Sequence, residues 1–319
     1  DRLESNGDQQ GALRVWRELV RVKPEPVAFC RLACLADELG QKNEAEHAYR
    51  RAIELDPELS LAYQGAGSIA LDRGNYEEAE RLLRRAVELD PTRSAYCMLG
   101  VALRGSGRIG AAQESYEKAI DIDPQFEEAY YNLGVLLRDS DPVRARGLFE
   151  RALEIDPDYA EAHSEVGWLL RRFGSLVQAE YHLRRAIELQ PDIAWTHVYL
   201  ANLLWERGDI PQAIAEYEWA HRAAPDRGFP LWSLANFYEN REEFGQARVL
   251  YERALELEPD DAVANMNLGR LLMKNGDRTT AKVFLERALL LNPRDATAKR
   301  LLESATQQEN SDKSVTDRT

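Results

Sequence analysis

The sequence predicts an all-α solenoid of repeated helix pairs, and three observations predict it. Pro24, Pro57, Pro91, Pro124, Pro157, Pro191, Pro225, Pro259 and Pro293 stand 33 or 34 residues apart, a period that signals stacked repeats. The stretch before each closing proline is spelled nearly alike: AEHAYRRAIELDP at 45–57, AERLLRRAVELDP at 79–91, AQESYEKAIDIDP at 112–124 and ARGLFERALEIDP at 145–157. Within a period, apolar and small residues recur at helical spacing on both sides of a turn glycine such as Gly74, so each period holds two helices.

From the N-terminus, GDQQGALRVWRELVRVKP at 7–24 has the pattern of a second helix without its first. Residues 1–24 are therefore expected to form a truncated repeat, and the chain, which starts without Met, to be a piece of a longer protein. Eight full periods follow, at 25–57, 58–91, 92–124, 125–157, 158–191, 192–225, 226–259 and 260–293. A residue before proline is pushed out of helical geometry, so Asp90 is expected to end its helix. With the closing proline as position 32, small residues fall at positions 8, 20 and 27, as Gly67, Ala79 and Ala86 do. Small side chains let helix axes approach within about 8–10 Å. Large residues at 4, 7, 11 and 24, such as Tyr96, Leu99, Leu103 and Tyr116, fill the surrounding volume.

Two periods depart locally. Period four is one residue short between Gly134 and Ala145, and its RDSDPV turn puts Asp141 at the N-cap and Pro142 at the first helical position. A tighter turn is expected there. Period seven carries Glu242 where the others have glycine, so a different turn is expected. After the last period, DATAKRLLESATQQ suggests a capping helix over 294–308, and 309–319 reads as a polar, disordered tail.

The residues at positions 4, 7, 8, 11, 20, 24, 27 and 32 resemble the tetratricopeptide repeat family over eight successive periods. The resemblance implies a right-handed superhelix of antiparallel helix pairs, with first helices lining a concave surface and second helices outside.

Composition bounds the function. A net charge of −14 opposes the clustered Lys and Arg of nucleic-acid binding, so no nucleic-acid partner is expected. No apolar run approaches the roughly 20 residues of a membrane span, so no membrane insertion is expected. The sequence has no GxxxxGK[ST], HExxH, GxSxG or GxGxxG; no catalytic residues, cofactor or metal are expected. Cys30 and Cys34 lie one helical turn apart, with Cys97 two periods on. They supply neither about four zinc ligands nor a disulfide framework, and reduced cysteines favour a cytoplasmic setting. His163 and His197 share position 4, where an aromatic normally packs.

What remains is the face not used in packing, the stripe at positions 2, 5, 9 and 12 of each first helix, flanked by 6 and 13. Period six places Trp195, Asn202 and Trp205 on it with Tyr199 beside them; period seven places Phe229, Trp232 and Asn236; period five adds Trp168. Exposed aromatic patches mark interaction sites, although a tight superhelix could instead bury these rings. Arg104, Arg138 and Arg171 share position 12. They read either as a ladder for acidic groups or as cations complementing helix C-termini. Asn236 and Asn267 match the asparagine pair with which some family members hold a C-terminal carboxylate, but Trp232 stands where the clamp lysine belongs. The resulting reading is a non-enzymatic scaffold that binds a protein or peptide ligand in its concave groove. The alternative is the substrate-recruiting arm of a larger enzyme, as a resemblance to O-linked N-acetylglucosamine transferase repeats would allow. An asparagine ladder at position 6 would favour that reading, but only Asn132 and Asn267 occur there.

Overall fold

The computed structural model describes residues 8–316, and side chains for residues 8–306. All eighteen elements among the described residues are α-helices, and they fall into two compact units, residues 1–158 and 159–319. The first unit holds α1 (Gln9–Val22), α2 (Pro26–Glu38), α3 (Lys42–Leu55), α4 (Ser60–Asp72), α5 (Tyr76–Leu89), α6 (Arg93–Gly105), α7 (Ile109–Ile122), α8 (Glu127–Leu137) and α9 (Pro142–Ile155). The second holds α10 (Ala160–Arg172), α11 (Leu176–Leu189), α12 (Ala194–Glu206), α13 (Ile210–Ala223), α14 (Phe229–Asn240), α15 (Phe244–Leu257), α16 (Ala262–Lys274), α17 (Arg278–Leu291) and α18 (Ala296–Thr316).

Even-numbered helices through α16 are the first helices of repeats; odd-numbered ones are the second. Within each unit a first helix packs against its own second helix and against the first helices of adjacent repeats. Position 8 shows why a small residue is needed. A Cβ built on Gly67, Gly100, Gly134, Gly167 or Gly269 would lie 2.5–2.7 Å from the position-24 side chain of the same repeat, which is Leu83, Tyr116, Phe149, Leu183 or Leu285. Alanines at positions 20 and 27, such as Ala79 and Ala86, are fully buried at the same crossings. Each Asp-Pro closure works as the sequence predicts: Asp90 leaves the helix at φ −148°, ψ 103°.

The turn of repeat four is closed by the Asp141 side chain accepting from Arg144 N at 3.0 Å, with Pro142 opening α9 and a first helix of only 11 residues. Repeat seven corrects the sequence reading. Glu242 adopts φ 62°, the same left-handed conformation as the turn glycines Gly40, Gly74, Gly107, Gly174, Gly208 and Gly276, at φ 70–82°. Flanking helix packing fixes the hairpin, and the glutamate absorbs the steric cost. Glu242→Gly is therefore expected to stabilise the second unit by about 1 kcal/mol, because a Cβ in this region costs about that much. Equal or lower thermal stability of the variant would show that the strain is relieved elsewhere.

The terminal helix also differs from expectation. It continues to Thr316, where a disordered tail was expected from 309, because residues 296–316 contain neither Pro nor Gly to stop it. Residues 1–7 of the truncated repeat and 317–319 of the tail lie outside the described residues.

Candidate functional site in the second unit

The first helices α10, α12 and α14 carry the aromatic stripe, and the structure divides it. One part is exposed or half-buried. Trp195 on α12 is 39 % exposed. The ring of half-buried Tyr199, one turn further along α12, lies 6.1 Å from Trp168 of α10 at a 40° tilt, and the Arg172 guanidinium sits 4.8 Å from the Trp168 ring. The other part is packing. Trp205 meets fully buried Phe237 edge-on at 5.6 Å, and Phe229 lies against the same apolar cluster. Trp232 packs on the neighbouring cluster, and its indole N–H donates to Asp261 Oδ2 at 3.0 Å. Asp261 caps α16 with its other oxygen, so Trp232 is held by the start of the next repeat.

Two asparagines on the stripe are oriented from behind. Tyr217 OH donates to Asn202 Oδ1 at 2.7 Å, and Tyr251 OH shares its single hydrogen between Asn236 Oδ1 at 2.5 Å and Glu239 Oε2 at 3.0 Å. Each tyrosine sits at position 24 and each asparagine at position 9. Repeat one makes the same link with different chemistry, Tyr49 OH to Cys34 Sγ at 3.1 Å. In repeat three position 9 is Val101, and the buried Tyr116 hydroxyl has no hydrogen-bond partner among the described residues. A buried hydroxyl without a partner is costly. Tyr116→Phe is thus expected to be neutral or stabilising by up to about 1 kcal/mol, whereas Tyr217→Phe loses about 1 kcal/mol; equal melting shifts for the two would sink this pairing rule. The rule was legible in principle, as tyrosine at 24 with a polar residue fifteen positions earlier, but the sequence reading assigned position 24 to bulk alone.

The structure gives the cationic and amide sets the following surroundings. Arg171 forms an ion pair with Glu206 of the next first helix. Arg104 and Arg171 lie in the last turns of α6 and α10, and Arg138 is the C-cap of α8, locations that suit helix-dipole complementarity. Asn267 is buried at 3 % exposure, and Asn236 also accepts from Arg270 Nη2 at 3.0 Å. No open asparagine pair for a terminal carboxylate results. Asn132 is likewise buried, donating to Glu128 O at 3.0 Å.

Sequence reasoning missed the polar links between positions 4 and 23. His163 and His182 bring Nδ1 atoms to 2.8 Å, and burial together with the His163 ring pushes His182 down to about 4. One repeat on, His197 Nδ1 meets Glu216 Oε2 at 2.6 Å and its Nε2 meets Pro191 O at 2.8 Å. Burial lowers the His197 pKa, but these two acceptors outweigh it and raise the pKa above its usual value. Trp219, on the second helix α13, stacks on His197 at 5.2 Å and 7°. Both position-4 histidines are buried, as a packing role requires.

Among the described residues no group of His, Cys, Asp and Glu is arranged to hold a metal ion, and no helix is long and apolar enough to cross a membrane. The thiols of Cys30, Cys34 and Cys97 are free, and burial pushes Cys30 up to about 12.

A tetratricopeptide repeat model matches residues 30–94, 135–192 and 200–262; a second matches 241–310, and a TPR repeat model matches 100–139. The chain belongs to the tetratricopeptide repeat family. No curated protein sequence matches it. Among solved structures, this tetratricopeptide chain is similar to the APC/C hetero-tetramer Cut9-Hcn1, with a TM-score of 0.64 at 16% identity over 83% of this chain and 52% of that one. It is also similar to yeast Tom70, with a TM-score of 0.59 at 17% identity over 99% of this chain and 88% of that one. At these identities the likeness is one of fold: successive antiparallel helix pairs of a tetratricopeptide solenoid. The chain spans about half of the matched Cut9-Hcn1 chain.

Proposed function

We propose that this tetratricopeptide array is a non-enzymatic scaffold whose second unit binds a protein segment along the first helices α10, α12 and α14. The observation that carries the reading is the exposed Trp195 ring on the same helix as Tyr199, whose ring neighbours Trp168 on the adjacent first helix. Large amphipathic rings at low conformational cost supply most of the energy in such contacts. Asn202 and Asn236 complete the surface, since each tyrosine hydroxyl occupies the amide oxygen and leaves the amide nitrogen as the group that can donate to a ligand carbonyl.

Within this reading the packed rings Trp205, Phe229 and Trp232 hold the surface in place, while Trp195, Tyr199 and Trp168 touch the ligand. Arg104 and Arg138 share position 12 in the first unit, and Arg171 in the second pairs with Glu206; these guanidiniums would favour an acidic segment. The test is substitution of Trp195, which is expected to weaken partner binding about ten-fold, the worth of part of a buried ring, without lowering the melting temperature. Loss of stability with unchanged affinity would contradict the assignment.

A further inference from the structure

Repeat two is the one repeat with alanine at both packing positions 7 and 11; repeat one shares the alanine at position 11, Ala36, but keeps Leu32 at position 7. Positions 7 and 11 hold Leu99 and Leu103 in repeat three, Leu133 and Leu137 in repeat four, Leu200 and Leu204 in repeat six, and Leu268 and Leu272 in repeat eight. Repeat two has Ala66 and Ala70. A cavity of about 240 Å³ lies between α3, α4 and α5 where those two leucines would stand, lined by the apolar groups of Ile53, Ala66, Ile69, Ala70 and Leu82 and by Tyr63. The cavity is partly open to solvent, and the two alanines leave its apolar wall wider than a leucine pair would.

The charged groups lining the cavity are unequal in number. Arg50 Nη2 bonds Glu46 Oε1 at 2.7 Å, Arg73 pairs with the other oxygen of Glu46, and Arg81 bonds Glu78 through two nitrogens at 2.5 and 2.9 Å. Three guanidiniums share two carboxylates, leaving one excess positive charge at the cavity, in a chain whose net charge is −14. An apolar pocket with a few converging polar groups is the usual form of a small-molecule site, and guanidinium favours carboxylate by charge-assisted hydrogen bonds.

We propose that this cavity is a binding site for a small amphipathic carboxylate, a medium-chain aliphatic acid, with its chain on Ile53, Ile69 and Leu82 and its carboxylate accepting from the arginines. The site lies within the first unit, between the first helix α4 and the second helices α3 and α5, and shares no residue with the aromatic stripe of α10, α12 and α14. Size sets the chain length: the cavity admits a chain of several methylenes and excludes a long one unless it projects into solvent. Each buried methylene is worth about a four-fold gain in affinity.

Octanoate is the probe. Calorimetric titration of the full chain is expected to show one saturable site, with hexanoate about fifteen-fold weaker because two methylenes are lost. Octan-1-ol is expected to bind several-fold more weakly than octanoate, and raised salt or Arg50→Gln to narrow that difference. Ala66→Leu with Ala70→Leu is expected to abolish binding while melting at or above the parent temperature, since the leucines fill an existing void. Should the filled variant fold poorly, isotope-filtered NOEs from octanoate methylenes to Ile69 and Leu82 methyls in the parent chain decide the matter. Non-saturable uptake, absence of those NOEs, or octanoate affinity unchanged by the filling substitutions overturns the site. Equal affinity for octan-1-ol and octanoate overturns its preference for a carboxylate.

Discussion

Phe237→Ala is expected to lower the stability of the second unit by about 3–5 kcal/mol, the usual cost of deleting a buried ring. Phe237 is fully buried and joins three aromatic neighbours: Trp205 at 5.6 Å, Tyr217 at 5.9 Å and Tyr238 at 5.2 Å. Aromatic pairs contribute about 0.5–1.5 kcal/mol beyond the area they bury. Losing Phe237 therefore withdraws the support of Trp205 and the packing of Tyr217, which in turn orients Asn202. Because repeat arrays lose cooperativity along their length, the measurement is denaturant unfolding combined with amide exchange in α12 and α14. Exchange should accelerate there and much less in α2 to α4. A loss below about 1 kcal/mol would mean that the cluster repacks and that the ring is not the keystone of the surface.

Glu239→Gln is expected to cost about 2 kcal/mol and to remove part of the acid sensitivity of the chain. The Glu239 side chain is only 2 % exposed, and its carboxylate accepts from Tyr251 OH at 3.0 Å, Arg270 Nη2 at 3.0 Å and Lys274 Nζ at 2.7 Å. It stands at position 12, in the last helical turn, where the dipole disfavours an anion. Cations from the next repeat compensate, so the cluster fastens α14 to α16. Breaking a buried pair costs about 3–5 kcal/mol; the lower figure applies because Arg270 is a third exposed and Lys274 half exposed, and both can rehydrate. Burial alone would raise the Glu239 pKa, but the bonds from Lys274, Arg270 and Tyr251 outweigh it and hold the carboxyl below its reference value of 4.5. A depressed carboxylate contributes stability that is present above the unfolded pKa and is lost as pH falls through the folded one. Melting temperature against pH should therefore fall below about pH 4.5 more steeply in the parent than in Glu239→Gln. Parallel acid limbs would show that other carboxylates dominate.

The scaffold was legible because its determinants are local and repeated. Glycine or alanine at position 8, alanine at 20 and 27, and proline at 32 each answer one steric demand, and the demand recurs every period. Glu242 was misread because a turn residue was judged by its own preference, whereas the hairpin geometry is set by the helices on either side. The aromatic residues of the stripe lie on first helices, yet position alone could not separate Trp195 from Trp232. That separation depends on Asp261, a residue 29 positions away whose side chain caps the next first helix. The Glu239 cluster was invisible for the same reason: its cations lie 31 and 35 residues further on. The two alanines of repeat two were readable in the sequence, but a missing leucine signals a cavity only once the surrounding helices are in place.

The most direct test of the proposed scaffold role is to select peptides against the chain from a random displayed library and to measure the affinity of the best binders for point variants. Trp195→Ala and Tyr199→Ala are expected to weaken those peptides about ten-fold or more, with melting temperatures close to the parent. Tyr181→Ala, which removes a ring 65 % exposed on the second helix α11, is expected to leave affinity unchanged. Peptides that lose affinity on Tyr181→Ala and keep it on Trp195→Ala and Tyr199→Ala would contradict binding along the first helices.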